Sequence, residues 1–418
     1  MRVLHVTPSF YPAWAYGGVT RCAYEVCRAL VRRGVEVTVW TTDVLDATQR
    51  LRDCPADVDG IRVQHFPNLS NRLAYHLQLY LPRGLRAYAR RHVGDFDVVH
   101  LHAHRHALNL WVARAAWRAG VPYVLTGHGT VPVIERRLLV KRCVDALGAR
   151  AVLTHAARCI AVSGAEVTHF RAAGVDTQRV CIIPNGIRAE EFATKPPRGA
   201  FRRAYGLGGG PLVLFLGKIT PRKGVDVLIR ALAQLPAEVQ LVVAGNFMMP
   251  AEPLHDLVRR QGVQGRVHFV GLLSGDQKRA AYVDADVVAY PSLHEIFGLV
   301  PFEALVCGTP VVVCDDSGCG EVVQAAGGGL LTHYGDASGL AAALDTLLGD
   351  PALRAHCVAS GRRYVENHLG WDLIAAQTLR LYEDVVGARA ETLAPRARAA
   401  ASENAHASGH FAPGVRSA

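Results

Sequence analysis

Two glutamates, Glu295 and Glu303, stand in the stretch YPSLHEIFGLVPFEALVCGTPVVVCD, on a turn that leads into a short predicted helix. Pro301 and Gly308 bound that helix, because proline favours a first helical position and glycine follows a helix end. Carboxylates accept hydrogen bonds from hydroxyl groups, and the free amides at a helix start attract an anion. The arrangement suits a polyol that is joined to a phosphate.

A purely structural interpretation of the same residues exists. Glu303 lies early in the predicted helix, where a negative charge compensates the helix dipole, and Glu295 would then be a solvated loop residue. Taken alone, Glu303 favours this interpretation. Which of the two interpretations holds, a ligand site or a structural role, therefore depends on the residues in the other loops of the chain.

A basic loop, residues 217–224, follows one predicted strand and precedes a predicted helix. It carries Lys218 and Lys223, two of only five lysines in the chain. Compact ammonium charges beside a helix N-terminus suit a diphosphate, although an ordinary basic surface loop has the same composition.

Two glycine-containing loops follow predicted strands of the first half. Gly17 and Gly18 lack side chains, so a ligand can approach their amides, although a simple turn explains them equally well. His128 stands between two glycines in the sequence TGHGT. Its imidazole could donate to a sugar hydroxyl or to a developing negative charge, and the alternative is a structural histidine.

Strands and helices alternate along the chain in two successive series. This order predicts an α/β protein with two doubly wound parallel sheets, and 418 residues exceed the usual size of a single core. We place one domain at residues 1–190 and the other at 208–370, separated by a segment rich in proline and glycine. Ligands of such sheets bind at the carboxyl ends of the strands, so two facing sheets predict a cleft between the domains. The composition of the tail, 389–418, predicts disorder.

Composition and charge constrain location and partners. The chain has a net charge of +10. Five basic residues lie close together in residues 135–150, where apolar residues recur at helical spacing. A basic amphipathic helix can rest on an anionic membrane, and it can equally be a solvated helix. Nucleic acid is disfavoured because no binding motif accompanies the charge. The chain shows no long apolar run, no signal peptide and no C-x-x-C pair, which predicts a reduced cytoplasmic protein, with the inner face of the membrane as a possible docking place.

The motifs together resemble a known family. PSFYPAWAYGGV, DVVHLHAH, TGHGT, IPNGI, FLGKITPRKGVDVLIRAL, VHFVGLL and HEIFGLVPFEALVCGTPVV occur in this order. The combination resembles the retaining nucleotide-sugar glycosyltransferases of family 4, over roughly residues 1–390. The resemblance implies two Rossmann-like domains facing across a cleft, the GT-B fold. It also implies that a returning helix at about 371–388 completes the first domain.

The resemblance assigns roles to individual residues. Glu303 would hold the ribose hydroxyls of the donor, Glu295 the hydroxyls of its sugar, and the two lysines its diphosphate. The remaining assignments are amides of Phe297, Gly298 and Leu299 for sugar and phosphate, Gly17 and Gly18 approaching from the opposite domain, His128 at the transferring sugar, and Leu272 at the base. One departure is Lys218, where the family commonly has arginine, since a point charge replaces a bidentate fork.

The implied activity is transfer of a hexose-type sugar from a nucleoside-diphosphate sugar, with retention, to a hydroxyl of a glycan, lipid-linked glycan or other acceptor. Polysaccharide, lipopolysaccharide or glycolipid synthesis would use such a step. Neither a metal nor another cofactor is expected. The Asp-x-Asp pairs, which hold a metal in other transferases, each precede a predicted strand, away from the expected ligand face: Asp57/Asp59, Asp95/Asp97 and Asp284/Asp286.

Two other classes of function stay open. His100, His102 and His104 alternate, so three imidazoles could share one strand face as the ligands of a metal-dependent hydrolase do. No acidic residue at a suitable spacing accompanies them. A non-catalytic nucleotide-sugar-binding protein is the second alternative, and the carboxylate pair with His128 argues against it.

Overall fold

The computed structural model describes residues 1–134 and 137–407. The strands are β1 (Arg2–Val6), β2 (Glu36–Thr42), β3 (Asp57–Val58), β4 (Ile61–Phe66), β5 (Val98–His102), β6 (Tyr123–Thr126), β7 (Arg158–Ala161), β8 (Val180–Ile182), β9 (Leu212–Leu216), β10 (Gln240–Ala244), β11 (Val267–Gly271), β12 (Val287–Tyr290), β13 (Val311–Cys314) and β14 (Gly329–Thr332). The helices are α1 (Gly18–Arg32), α2 (Asn71–Leu77), α3 (Leu85–His92), α4 (Ala107–Arg118), α5 (Leu138–Val144), α6 (Arg150–Thr154), α7 (Gly164–Ala172), α8 (Ala200–Ala204), α9 (Val225–Leu232), α10 (Glu252–Arg260), α11 (Gly275–Asp284), α12 (Leu299–Cys307), α13 (Gly318–Ala326), α14 (Ala337–Gly349), α15 (Pro351–His368) and α16 (Trp371–Ala407).

The strands form two sheets, in the orders β3-β4-β2-β1-β5-β6-β7-β8 and β11-β10-β9-β12-β13-β14. The named pairs are parallel, except that β3 runs antiparallel to β4. In each sheet the chain starts in the middle and winds first to one side and then to the other. The prediction of two doubly wound α/β sheets is confirmed. Their switch points lie beside β1 and β9, where ligands of this architecture bind.

The central strands are buried because helices cover both faces of each sheet. Every residue of β5, β6, β12 and β13 is buried. Near-continuous apolar runs of this kind are what a parallel sheet requires.

Helix α16 returns to the first domain after the second domain is complete. Trp371, Ile374 and Tyr382 are buried in one apolar cluster with Val3 of β1 and Leu30 of α1. The resemblance implies a returning helix at about 371–388, and α16 spans these residues. The helix continues to Ala407, through the first part of the tail for which composition predicts disorder. The tail is rich in alanine and arginine, which are strong helix formers. Residues 408–418 lie outside the described residues.

Two helices begin earlier than the sequence predicts. Helix α12 begins at Leu299 rather than at Pro301, so Glu303 lies in its second turn. Proline is tolerated anywhere in a first turn, because the amide that it lacks has no partner within the helix there. Helix α1 begins at Gly18 with Gly17 as its cap, so the two adjacent glycines form the helix start instead of the predicted loop.

Candidate active site

Glu295 lies on the turn between β12 and α12, half-buried in the second domain. Its Oε2 accepts hydrogen bonds from Lys223 Nζ, from Tyr290 Oη (3.1 Å) and from Ser292 Oγ (3.4 Å). Burial alone would raise the pKa of this carboxyl, but Lys223, Arg222 and these hydrogen bonds together lower it below its usual range. Glu295 is therefore ionised at neutral pH.

Glu303 lies on the second turn of α12 and is 4% exposed. Its Oε2 accepts from Tyr282 Oη at 2.8 Å and from Lys278 Nζ at 2.5 Å. Burial raises the pKa of Glu303, and the stronger opposing effect of Lys278, Arg21 and the hydrogen bonds lowers it overall. Sequence reasoning missed Lys278, although the scarcity of lysine that drew attention to the basic loop applies equally to it.

The two carboxylates share one arrangement. Both use Oε2 for the hydrogen bonds that they accept from the protein. Among the described residues no donor is bonded to Oε1 of either glutamate. Each glutamate thus bonds one oxygen to a lysine and a tyrosine, while its other oxygen accepts no bond from the described residues.

The basic loop spans the cleft. Lys218 Nζ donates to the Tyr16 carbonyl of the first domain at 3.1 Å, and a Cβ added to Gly17 would lie 3.4 Å from the same nitrogen. Burial, and then the nearby Lys223 charge, lower the pKa of Lys218. An anion bound between the two lysines would favour the charged form of Lys218 and so oppose both causes of the lowered pKa. A diphosphate is an anion that could do this.

The N-termini of two helices, one from each domain, lie close together beside the basic loop. Gly17 caps α1 with φ of 97°, and Gly298 caps α12 with φ of 71°, conformations that favour glycine. Gly18, the first residue of α1, lies opposite Leu299, the first residue of α12, with 3.9 Å between a Cβ added to Gly18 and Leu299 Cδ1. The unpaired amides of both helices therefore face one small region, where the positive ends of two dipoles add.

Phe297 and Leu272 have different surroundings. Phe297 is buried, and its ring lies 5.0 Å from that of Phe302, so its backbone rather than its side chain remains for a ligand. Leu272 follows the edge strand β11 and is 66% exposed. It stands at the carboxyl edge of the sheet, on the side of β9 opposite to β12.

The His128 loop is held by a carboxylate that the sequence did not indicate. Glu166, fully buried on α7, accepts from the Gly129 amide at 2.5 Å and from the Val162 amide at 2.8 Å. Gly129 in turn packs on Ile296, next to Glu295, with 3.0 Å between an added Cβ and Ile296 Cγ1. Glu166 therefore fixes the loop that carries His128 against the turn that carries Glu295.

Replacement of Gly127 by alanine is expected to destabilise the first domain. A Cβ at this position would lie 2.5 Å from Glu166 Oε1 and 2.9 Å from Phe170 Cζ, so buried groups would have to move. Overpacking of this kind costs about 1–3 kcal/mol of unfolding free energy. Chemical denaturation measures the loss, and Gly94→Ala, whose Cβ would meet nothing within 4 Å, is the matched control. Equal stability of the two variants would contradict this account of the loop.

Glu166 should also make stability depend on pH. Burial raises its pKa to about 7, against the bonds from Gly129 and Val162, which lower it. In the unfolded chain the Glu166 carboxyl has its ordinary pKa of 4.5. Between this pKa and the raised pKa of the folded state, the folded protein binds more protons than the unfolded one, so ionisation of Glu166 destabilises the fold as pH rises. Relative to Glu166→Gln, the wild-type unfolding free energy should fall by at most about 3 kcal/mol between pH 4.5 and 7. Denaturation series at several pH values check this, and parallel curves for the two proteins would refute it.

The expected face of three alternating histidines does not form. The strand β5 ends at His102, and positive φ angles at Ala103 (62°) and Arg105 (65°) break the alternation. His104 turns away to Asp145, 3.4 Å from its Nε2. Instead His5 of β1 joins His100 and His102, because parallel pairing places His5 beside His100.

This triplet is the one group in the described chain whose side chains lie close enough together to share a metal ion. Each of the three rings already uses both of its nitrogens in hydrogen bonds to side chains. Metal binding would therefore have to break those bonds.

The three Asp-x-Asp pairs have structural partners. Asp97 accepts from the Arg2 amide at 2.7 Å, and Asp286 accepts from the Leu212 amide at 2.9 Å. Asp57 is part of the short strand β3 rather than of a loop. These carboxylates lie where strands begin, at the end of the sheets opposite to Glu295.

A second contact between the domains closes the side of the cleft. Glu321 of α13 accepts from the amides of Gly164 (2.9 Å) and Ala165 (2.8 Å), the first residues of α7. A carboxylate of one domain thus caps a helix of the other, which favours this domain orientation.

The comparisons with known proteins agree with this geometry. Residues 16–191 match the family model described as Glycosyltransferase Family 4, and residues 198–364 match Glycosyl transferases group 1. A D-inositol 3-phosphate glycosyltransferase of Xylanimonas cellulosilytica is 34% identical over 405 residues, covering 91% of this chain and 95% of that protein. The protein of the same name from Kineococcus radiotolerans is 31% identical over 421 residues, covering 93% and 95%.

Solved structures share the fold. The crystal structure of Anabaena Alr3699/HepE in complex with UDP-glucose superposes with a TM-score of 0.74 at 25% identity, covering 92% of this chain and 100% of that one. Sucrose-phosphate synthase from Thermosynechococcus elongatus gives a TM-score of 0.73 at 24% identity, covering 93% and 99%. From its two matching models, its relatives and its GT-B architecture, the chain belongs to the family 4 glycosyltransferases.

Proposed function

We propose that this glycosyltransferase moves a hexose-type sugar from a nucleoside-diphosphate sugar to an acceptor hydroxyl, with retention at the anomeric carbon. One observation carries the proposal. Glu295 and Glu303 each keep Oε1 open, beside two lysines and the facing starts of α1 and α12. Hydroxyl acceptors and an anion site next to each other fit a sugar joined to a diphosphate.

A uridine nucleotide is the first donor to test, because HepE was crystallised with UDP and with UDP-glucose. In the proposed mode Glu303 Oε1 accepts from the ribose and Glu295 Oε1 accepts from the sugar. Lys218, Lys223 and the helix amides bind the diphosphate, and His128 contacts the transferring sugar.

The acceptor is proposed on the first-domain side of the cleft. The names of the relatives make inositol 3-phosphate the first acceptor to test, and lipid-linked glycans of polysaccharide, lipopolysaccharide or glycolipid synthesis are the second. Transfer to the first would favour a free phosphorylated polyol. Transfer to the second alone would favour envelope or polysaccharide synthesis.

The test combines donor binding with product formation. Thermal shift against a panel of nucleoside diphosphates and their sugars should identify the donor, since a ligand at 100 times its Kd stabilises by about 2.7 kcal/mol. Incubation with that donor and each acceptor, followed by NMR of the product, should then show an anomer with the donor's configuration. An inverted product would refute retention, and a panel without any stabilising nucleotide would refute the donor site.

Catalysis is proposed to proceed without a metal ion. As the bond between sugar and phosphate breaks, positive charge develops on the sugar and negative charge on the departing diphosphate. In the proposed donor mode the lysines and the two helix starts would offset that negative charge. We expect turnover to persist in EDTA, and loss of activity that Mn²⁺ restores would contradict this expectation.

The two alternatives are separated by simple measurements. A hydrolase built on the histidines predicts stoichiometric zinc by elemental analysis, lost with His102→Ala. A non-catalytic sugar-binding protein predicts that donor binds but is neither transferred nor slowly hydrolysed. Donor turnover by the wild type, absent from Glu295→Ala, would exclude the binding protein.

We also propose that the first domain rests on an anionic membrane surface from the cytoplasmic side. Within the described residues no helix is long and apolar enough to cross a bilayer. Leu139 on α5 (75% exposed) and Leu147 (74%) nevertheless present apolar side chains outward. Glu135 and Arg136 of the predicted basic helix lie outside the described residues, and the remainder divides into α5, a π-helical turn and α6.

A basic groove adjoins this apolar surface, because a Cβ added to Gly148 would lie 3.2 Å from Leu110 of the groove. Its charged lining residues are Arg86, Arg90, Arg114 and Arg118. Exposed leucines beside arginines fit the boundary between lipid headgroups and acyl chains.

Vesicle flotation at low salt tests the membrane proposal. The wild type should float with vesicles that contain phosphatidylglycerol and not with pure phosphatidylcholine, and a double variant, Leu139→Ser with Leu147→Ser, should float less. Ile182→Ser, which changes an exposed apolar residue of β8 (54% exposed), is the control. Absence of wild-type flotation on anionic vesicles would overturn the proposal.

A further inference from the structure

A continuous hydrogen-bonded chain of six side chains runs through the core of the first domain to His128. The contacts are Thr126 Oγ1 to His100 Nε2 (2.7 Å), His100 Nδ1 to Tyr382 Oη (2.6 Å), Tyr382 Oη to His5 Nε2 (3.3 Å), His5 Nδ1 to His102 Nε2 (2.9 Å), and His102 Nδ1 to His128 Nε2 (3.2 Å). The chain thus begins on β6, crosses the returning helix α16 and ends at the cleft.

The four histidines of this chain are uncharged. Burial lowers the pKa of His5 to about 3 and that of His128 to about 4, and it lowers the values of His100 and His102 well below the usual range. A neutral imidazole carries one N–H and one bare nitrogen, so it donates on one side and accepts on the other. Between neighbouring imidazoles the direction of one bond therefore fixes the direction of the next, whereas the Tyr382 hydroxyl, which can donate once and accept twice, links the two parts of the chain.

The two bonds of Tyr382 set that direction. Hydroxyl donors form shorter bonds than ring N–H donors, and an O–H group has one hydrogen to give. Its oxygen lies 2.6 Å from His100 Nδ1 and 3.3 Å from His5 Nε2. The hydroxyl therefore donates to His100 and accepts from His5.

The remaining assignments follow one from another. Because His5 donates from Nε2, its Nδ1 is bare and accepts from His102 Nε2. The Nδ1 of His102 is then bare and accepts from His128 Nε2. At the other end His100, which accepts at Nδ1, donates from Nε2 to Thr126. One set of tautomers satisfies every bond.

We propose that this chain fixes His128 as the Nε2–H tautomer, so that its Nδ1 presents a lone pair to a hydroxyl of the transferring sugar. His102, His5 and Tyr382 are then positioning residues, which act on the sugar only through His128. Nδ1 is the nitrogen that remains for a ligand, since Nε2 is bonded to His102. The role at the sugar rests on the proposed function, whereas the tautomer does not.

The tautomer can be observed directly in the full chain labelled with ¹⁵N-histidine. Long-range ¹H–¹⁵N correlation spectra at pH 7.5, assigned with His128→Gln, distinguish a protonated Nε2 from a protonated Nδ1. We expect protonated Nε2 in the wild type. Tyr382→Phe removes the hydroxyl that orders the chain, and we expect a mixture of both His128 tautomers in this variant.

Kinetics provide the second readout. Loss of the fixed tautomer should lower kcat for Tyr382→Phe and leave the donor KM unchanged, because His128 stays in place while only its correct tautomer becomes less populated. Tyr123→Phe is the matched control, since Tyr123 is buried in the same domain and donates to the Val152 carbonyl at 2.9 Å, outside the chain. It should change neither the His128 spectrum nor kcat.

Three results would overturn the inference: protonated Nδ1 in wild-type His128, an unchanged His128 spectrum in Tyr382→Phe, or the same spectral change in Tyr123→Phe. If Tyr382→Phe does not fold, Thr126→Val removes the acceptor at the opposite end and should also yield mixed tautomers. Failure to transfer any sugar would leave the spectra interpretable and would count against the proposed function alone.

Discussion

Replacement of Glu295 by glutamine is expected to lower kcat by about 100-fold or more, because removing one electrostatic contact to transition-state charge typically costs about 10²–10³ in kcat. The carboxylate lies at the sugar end of the proposed donor site, where positive charge develops as the bond to phosphate breaks. It also balances Lys223, to which it is directly bonded. The amide retains shape and hydrogen-bonding capacity but loses both electrostatic effects. Steady-state kinetics with the identified donor measure the change.

The donor KM should change little in Glu295→Gln, since the lost interaction strengthens only in the transition state. Glu238→Gln, on the exposed surface of the second domain, removes the same charge far from the turn and should leave both constants unaltered. Thermal unfolding of Glu295→Gln checks that this variant still folds. A large rise in KM with unchanged kcat would place Glu295 in ground-state binding instead.

Replacement of Glu303 by glutamine is expected to weaken donor binding and to leave kcat nearly unchanged. The ribose hydroxyls do not react, so their bonds are the same before and during transfer. Hydrogen bonds to a charged group contribute about 1.5–3 kcal/mol and neutral ones about 0.5–1.5 kcal/mol. The difference of about 1–1.5 kcal/mol should raise the donor KM, and the Kd of the nucleoside diphosphate, by roughly 5- to 13-fold.

Calorimetry with the free nucleoside diphosphate separates this effect from the chemistry. Glu303→Gln should bind it more weakly, whereas Glu295→Gln should bind it as the wild type does. Because Lys278 would lose its counter-ion at 2.5 Å, unfolding of Glu303→Gln has to be measured alongside. Equal loss of nucleotide affinity in both variants would disprove the division of labour between the two carboxylates.

The strands near the site could be predicted because their sequences leave little choice. Three of these strands are mostly apolar runs bounded by turn residues, and their extent can be predicted from the sequence alone: Val98–His102, Leu212–Leu216 and Val311–Cys314. The starts of α1 and α12 could not be predicted in the same way. Both helices are capped by glycines in unusual conformations, without a side-chain cap that a sequence would reveal.

The site residues show the same difference between features that the local sequence predicts and features that it does not. Glu295 and Glu303 were detectable because their spacing and the turn between them are local in the sequence. The partners of Glu303, Lys278 and Tyr282, come from a helix that precedes it, and Glu166 supports a loop 37 residues earlier in the chain. Such partners are specified by packing, which no periodic pattern records. The histidine chain has the same origin, since its members lie on β1, β5, the loop after β6 and α16.

Two of the hydrogen-bonded contacts between the domains end on main-chain atoms of the first domain. Lys218 bonds to the carbonyl of Tyr16, and Glu321 to the amides of Gly164 and Ala165. Peptide groups are present whatever side chain a mutation introduces, so these two contacts do not depend on which residue occupies position 16 or 165. The loops of the first domain beside the cleft can therefore change in sequence while both contacts to the second domain persist.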